Sequence, residues 1–250
     1  MANVFLLPPQ TTPPDEVLIR RHTPAAVGKN YTVFRDCLRW EFGFTCAICL
    51  LHERDIQSYG AQGWGVMHVE HMEPQSINAK TVGAYSNLLY ICRLCNGARS
   101  DTAREDRRGR RLLDPTEDVW SQHFAIANDH LHFARDNSDA DYTADVYNIN
   151  DPRKVRLRQA RREHVQRLLA ELASERDELV RLERSLPRAD PLDFAAMLAS
   201  LEDRLERLRR RFTGQMWVPE DAPSECRCGR WEARTLPSTY MRQCMQMTTI

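Results

Sequence analysis

Apolar residues recur at helical spacing from Asn30 to Phe42: Tyr31, Phe34, Cys37, Leu38 and Phe42 share one face, and Gly43 closes the helix. A glycine-punctuated turn, Gly60–Gly65, leads into Val66–Met72, where apolar and polar residues alternate as in a half-buried strand, and Pro74 ends it. A polar loop over Ser76–Ser86 precedes a second short strand, Leu88–Ile91. From Cys92 to Arg104 the pattern is a turn entering a helix. Leu112, Leu113, Trp120 and Phe124 predict a short packing helix. Asp129–Ala134 and Tyr142–Ile149 predict a hairpin across the polar turn Arg135–Asp141.

Beyond Pro152 the period changes to long helical stripes. Val165, Leu168, Leu172, Leu179, Leu182 and Leu186 form one; Phe194, Leu198, Leu201, Leu205, Leu208 and Phe212 form the next, with Pro187 and Pro191 between them. Two such seams predict a helical hairpin that packs on itself or on a partner. The chain thus reads as an extended segment over 1–29, an α+β domain over 30–152, the hairpin over 153–212 and an irregular tail over 213–250.

Composition narrows the function classes. With 250 residues, 42% of them hydrophobic, the chain can bury a substantial core. No apolar run approaches the ~20 residues of a membrane helix, so no membrane partner is expected. The 35 basic side chains match 35 acidic ones, which excludes a globally basic nucleic-acid binder and leaves only local patches. Between Arg99 and Arg111 six arginines face three acids. There Arg104, Arg107 and Arg108 are candidate phosphate contacts, with a solvated face as the alternative. The basic run Arg153–Arg167 reads as a solvated helix face. Met1–Pro14 lacks a basic start and carries four prolines, unlike a signal peptide, so a cytoplasmic location is expected.

Cysteine changes the picture most. Cys46-Ala-Ile-Cys49 and Cys92-Arg-Leu-Cys95 can each present two thiolates on a tight knuckle. Together they offer a tetrahedral four-sulfur site for Zn2+. A reducing compartment favours metal over disulfides. Cys37 reads as a core thiol; Cys226, Cys228 and Cys244 lack a clear fourth ligand. Between and after the two pairs lie Glu70, His71, Asn87, Asn96 and Arg99. Glu70 and Asn96 carry hard oxygens suited to Mg2+ or Mn2+. His71 is a candidate base, its unperturbed pKa of ~6.5 suiting proton uptake near neutrality. Arg99 follows Asn96 by one helical turn, where it could hold a phosphate. His52, His68, His130 and His132 read as packing or surface residues.

Cys46-x-x-Cys49, Val69-Glu70-His71-Met72-x-Pro74, Asn87-Leu88 and Cys92-x-x-Cys95-Asn96-x-x-Arg99 resemble the HNH endonucleases of ββα-metal fold, in the subgroup with a four-cysteine zinc site. The resemblance covers about residues 30–105. It implies hydrolysis of DNA phosphodiesters with one Mg2+ or Mn2+, leaving 5′-phosphate and 3′-hydroxyl ends. On the same ground His71 is the general base, Glu70 and Asn96 are metal ligands, Asn87 orients His71, and the zinc is structural. Glu70 stands where that family usually has Asp or His.

Three functions follow from these residues. One is an active endonuclease that nicks DNA, or cuts both strands as a homodimer through 153–212. Another is a zinc-stabilised DNA-binding module with a decayed centre. The last, by analogy with bacterial anti-phage systems, is an effector gated by a partner protein docked on 153–212.

Overall fold

In the computed structural model, residues 4–6, 17, 26–57, 66–185, 191–217 and 247–249 are described. The predicted turn at Gly60–Gly65 and the cysteines at 226, 228 and 244 lie outside them. The architecture is α+β, built from helices and three small antiparallel sheets.

The first predicted helix opens as a 3-10 turn, Tyr31–Phe34, and continues as helix α1 (Arg35–Glu41). It buries Phe34, Cys37, Leu38 and Trp40, along with the polar Arg39 and Glu41. Those two are paired rather than stranded. Arg39 Nη2 donates to Glu53 Oε1 at 2.6 Å, Tyr90 donates to Glu53 Oε2 at 2.6 Å, and Tyr85 donates to Glu41 Oε2 at 2.8 Å. Burial and the Glu53 carboxylate push the Tyr90 hydroxyl well above its usual pKa, so it stays a donor. Glu53 opens the short helix α2 (Glu53–Gln57), just after the first cysteine knuckle.

Strands β2 (Met67–His71) and β3 (Leu88–Cys92) pair antiparallel, with His71 opposite Leu88 and Glu70 opposite Leu89. β3 is buried along its whole length. Cys92 both ends β3 and caps helix α3 (Arg93–Arg99), so strand passes into helix without a linker. α3 packs against both strands. A further pair, β1 (Val4–Leu6) with β6 (Met247–Thr249), joins segments near the two ends of the chain.

Two sequence expectations are corrected downstream. Helix α4 (Trp120–His123) is a single turn; Leu112 and Leu113 are buried in extended chain ahead of it. The hairpin is β4 (Ala125–Ala127) with β5 (His130–His132), closed by Asn128 and Asp129, both at positive φ (50° and 63°). Such a left-handed pair twists two strands together, and Asn and Asp tolerate it best after glycine. Tyr142–Ile149 is therefore not a strand. Most of it belongs to helix α5 (Ser138–Val146), which Asn137 caps by accepting from the Ala140 N–H at 3.0 Å, with Asp139 and Asp141 in the first turn.

The chain divides into two compact units at Ala160 and Arg161, inside helix α6 (Pro152–Ser185). The first contains one continuous core running from Phe34 to Leu157. The second holds the rest of α6 and helix α7 (Pro191–Trp217). Of the predicted stripes, Leu168 and Leu201 are buried, while Leu172, Phe194, Leu198 and Leu205 are half-buried. Arg204 bridges the helices by pairing with Glu175 at 2.6 Å and Glu178 at 3.4 Å. No described helix is long and apolar enough to cross a membrane.

Candidate functional site

Cys46 and Cys49 stand on a tight loop. The Leu50 N–H donates to Cys46 O at 3.1 Å and the Cys46 N–H to Leu51 O at 2.8 Å, with Leu50 in the left-handed region at φ 62°. The Ala47 N–H donates to Tyr90 O at 2.8 Å, which ties this knuckle to β3. On the other knuckle, Cys92 Sγ accepts from the Cys95 N–H at 3.4 Å. All four cysteines are buried and unbridged, their sulfurs lie within 4.8 Å of one another, and Cys49 Sγ is 3.6 Å from Cys92 Sγ. Zinc–sulfur bonds of ~2.3 Å in a tetrahedron place sulfurs about 3.8 Å apart, so the cluster fits a structural metal such as zinc as it stands. Burial pushes the Cys92 and Cys95 thiols well up. Against the same burial, hydrogen bonds from Cys46, Cys92 and Cys95 hold Cys49 well below the usual range.

His71 ends β2 and is buried. Its Nε2 lies 2.9 Å from Val82 O, its Nδ1 lies 3.3 Å from Gln75 Nε2, and the Tyr31 ring packs edge-on at 4.4 Å. A carbonyl only accepts, so Nε2 carries the proton and Nδ1 keeps the lone pair. Burial lowers the imidazole pKa; the Val82 carbonyl works against this and the Arg99 cation adds to it. The ring is neutral near pH 7, as a base must be.

Asn87 makes no hydrogen bond to the His71 ring; its side chain bonds to the loop between them. Its Oδ1 accepts from the Glu73 N–H at 2.7 Å, and its Nδ2 donates to Glu73 O at 3.1 Å and Thr81 Oγ1 at 3.2 Å. The Met72 N–H donates to Asn87 O at 2.8 Å. Both ends of segment 73–82 are thereby fixed, and the Val82 carbonyl with them. A crossing that the sequence did not reveal adds to this. The Val27 N–H donates to Gly83 O at 3.2 Å, and a Cβ on Gly83 would lie 2.4 Å from the Gly28 backbone. The two glycines are the only trace of that close approach in the sequence.

Glu70 is half-buried beside Arg99, with Oε1 2.9 Å from Nη1. Burial raises the Glu70 carboxyl and Arg99 opposes that rise. Arg99, expected as a phosphate contact, is fully buried and bonded to protein acceptors. Its guanidinium donates to Glu70, His71 O and Met72 O, and stacks over the Tyr147 ring at 5.8 Å. The spacing contained this signal. Arg99 follows Cys95 by four residues, and a helix that turns Cys95 toward the sulfur cluster turns Arg99 inward as well. Asn96 is half-buried, and its side chain makes no hydrogen bond among the described residues.

A carboxylate offers about four lone-pair sites and Arg99 takes one, so Glu70 keeps capacity for a cation. Together with one amide oxygen this is a sparse donor set. The structure thus brings Glu70, His71 and Arg99 into direct contact, with Asn96 on the adjoining helix and Asn87 behind the loop.

The basic run is largely neutralised. Arg104 pairs with Glu117, Arg110 with Asp106 at 2.8 Å and Asp141 at 3.0 Å, and Arg111 with Asp118 at 2.6 Å. Arg107 and Arg108 remain exposed on a turn without an ion-pair partner among the described residues. His52 is buried and accepts the Arg54 N–H; His130 and His132 bond to hairpin carbonyls. No protein-family model, curated protein or solved structure matches the chain.

Proposed function

We propose that this chain is a metal-dependent DNA endonuclease of the HNH type with a ββα-metal centre, stabilised by zinc at Cys46, Cys49, Cys92 and Cys95. The observation that carries the reading is His71. It ends β2 of an antiparallel pair that runs straight into a helix, and its Nε2 is committed to the Val82 carbonyl while Nδ1 keeps a lone pair. In the reaction Nδ1 takes the proton of a water that attacks the phosphodiester phosphorus. Gln75, an exposed side chain, gives way to that water. Arg99 keeps Glu70 ionised and aimed, as outer partners of ligating carboxylates do. Glu70 and Asn96 would hold one Mg2+ or Mn2+, which when bound supplies charge stabilisation at the leaving 3′ oxygen. Arg107 and Arg108 offer the nearest unpaired charges in the basic run for the DNA backbone.

A second reading draws on the burial of His71, which is 5% exposed. A base this covered suits an effector whose site opens when a partner protein engages residues 153–212. The test of the main reading is an end-labelled duplex oligonucleotide incubated with the full chain and Mg2+ or Mn2+, with EDTA as control. Metal-dependent products with 5′-phosphate and 3′-hydroxyl ends are expected. Binding without cleavage would replace this reading with a DNA-binding module.

A further inference from the structure

The first turns of α6 carry a stripe at Lys154, Leu157, Arg158 and Arg161, all four buried. The sequence reads this run as a solvated basic face; Arg153, Arg156, Arg162 and Arg167 are exposed as expected, whereas Lys154, Arg158 and Arg161 are buried. Lys154 is one of three lysines in the chain and is 1% exposed. Its Nζ donates to Tyr147 O at 2.6 Å and Asn148 O at 3.1 Å. Arg158 donates through Nε to Asp129 O at 2.6 Å, through Nη1 to Cys49 O at 3.3 Å and Ile149 O at 3.2 Å, and through Nη2 to Asn150 Oδ1 at 3.1 Å. Every one of these acceptors is neutral, and neither cation makes an ion pair with a carboxylate among the described residues.

Burying two positive charges on neutral acceptors is costly unless an anion lies nearby. The anions that act on them are the Asp129 carboxylate beside Arg158, the Asp151 carboxylate beside Lys154, and the sulfur cluster. Arg158 touches the backbone of Cys49, and the cysteine charges act favourably on both cations. A divalent ion held by four thiolates carries a net charge of −2, the sign that stabilises cations buried beside it.

We propose that Lys154 and Arg158 are a built counter-cation pair for a dianionic metal–tetrathiolate centre at Cys46, Cys49, Cys92 and Cys95, so that residues 152–160, the part of α6 within the first unit, are held in place by the loaded metal. This rests on the reading of the cluster as a metal site and deepens it. It names the charge state of the occupant and makes the start of α6 a reporter of metal loading.

The test uses the full-length protein. Metal content and the cobalt-substituted absorption spectrum first establish whether a tetrathiolate site forms. Hydrogen exchange of residues 152–160 is then followed with metal and after its removal by chelator. Protection with metal and its loss without metal are expected; equal protection in both states would overturn the proposal. Lys154→Met and Arg158→Met should keep the cobalt spectrum but release zinc to a chelator about 10- to 100-fold faster, the usual scale for loss of an outer partner. Lys154→Arg should release zinc at the wild-type rate. Wild-type release from both methionine variants would overturn the proposal while leaving the metal site standing. Wild-type protein with neither metal nor a tetrathiolate spectrum would overturn both. If the methionine variants fail to fold, the exchange measurement on wild type decides alone.

Discussion

Replacing Arg99 by Met removes the most heavily used buried cation at the candidate active site. The guanidinium lies 2.9 Å from Glu70 Oε1 and also serves the His71 and Met72 carbonyls. At 2.9 Å and an effective dielectric of ~20, the gross charge–charge attraction is about 6 kcal/mol. Breaking one side of such a pair leaves an uncompensated charge and costs about 3–5 kcal/mol. Each carbonyl left without a donor adds about 1 kcal/mol, since water reaches only part of the pocket. The expected loss is therefore about 5–7 kcal/mol, much of the 5–15 kcal/mol typical of a whole domain. Urea unfolding in zinc-saturated buffer, followed by the fluorescence of buried Trp40 and Trp120, measures it. The same cycle carries an internal check. Adding Glu70→Gln removes the stranded charge, so Arg99→Met/Glu70→Gln should be more stable than Arg99→Met alone by about 2 kcal/mol. The sign with pH follows from Glu70, whose folded pKa is raised by burial and held back by Arg99. Burial of its carboxylate costs stability that appears as pH rises through the carboxyl range. Without Arg99 that cost is larger, so the variant's deficit should shrink as pH falls toward 5. A loss under 1 kcal/mol, or a further loss on adding Glu70→Gln, would refute the reasoning.

Cys92→Ser with Cys95→Ser should abolish zinc binding and cooperative unfolding together, because structural zinc contributes about 10–16 kcal/mol, more than most domains have to lose. Metal analysis of the wild type without zinc would remove the premise. Gly83→Ala should lower the melting temperature and loosen the Val82 hold on His71, because its Cβ would press on the Gly28 backbone. Gly97→Ala, on α3 with open space around its Cβ, should stabilise by about 0.5–1 kcal/mol. An equal effect of the two substitutions in calorimetry would contradict the close approach. A chain ending at Ala160 should retain zinc, whereas one ending at Asp151 loses buried Lys154, Leu157 and Arg158 and should be less stable by several kcal/mol, Leu157 alone contributing about 2. Equal denaturant midpoints for the two would argue against this.

The parts of the fold legible in sequence were those with a strong local period or a covalent spacing. The two Cys-x-x-Cys knuckles, the strand at Met67–His71 and the apolar β3 have their expected form, and the segments of the two stripes are helices, with Leu168 and Leu201 buried. Tyr142–Ile149 misled because Tyr, Val and Ile favour strands, whereas the cap at Asn137 and the acids of the first turn favour the helix. Buried cations were the larger gap. Arg99, Lys154 and Arg158 look like surface residues by type, and only their partners, backbone carbonyls and the sulfur cluster, explain why they are inside. Those partners come from distant parts of the chain, where no local pattern reaches. The neutralised arginines at 104, 110 and 111 show the same limit, since the acids that pair them include Asp139 and Asp141 from α5.

The most direct test of the account is nicking of supercoiled plasmid by full-length wild type and His71→Ala at equal zinc content, with Mg2+ or Mn2+ supplied. The account predicts metal-dependent nicked or linear product from the wild type and a loss of at least 100-fold in rate in the variant, the usual scale for removing a general base. Equal cleavage by His71→Ala would contradict it.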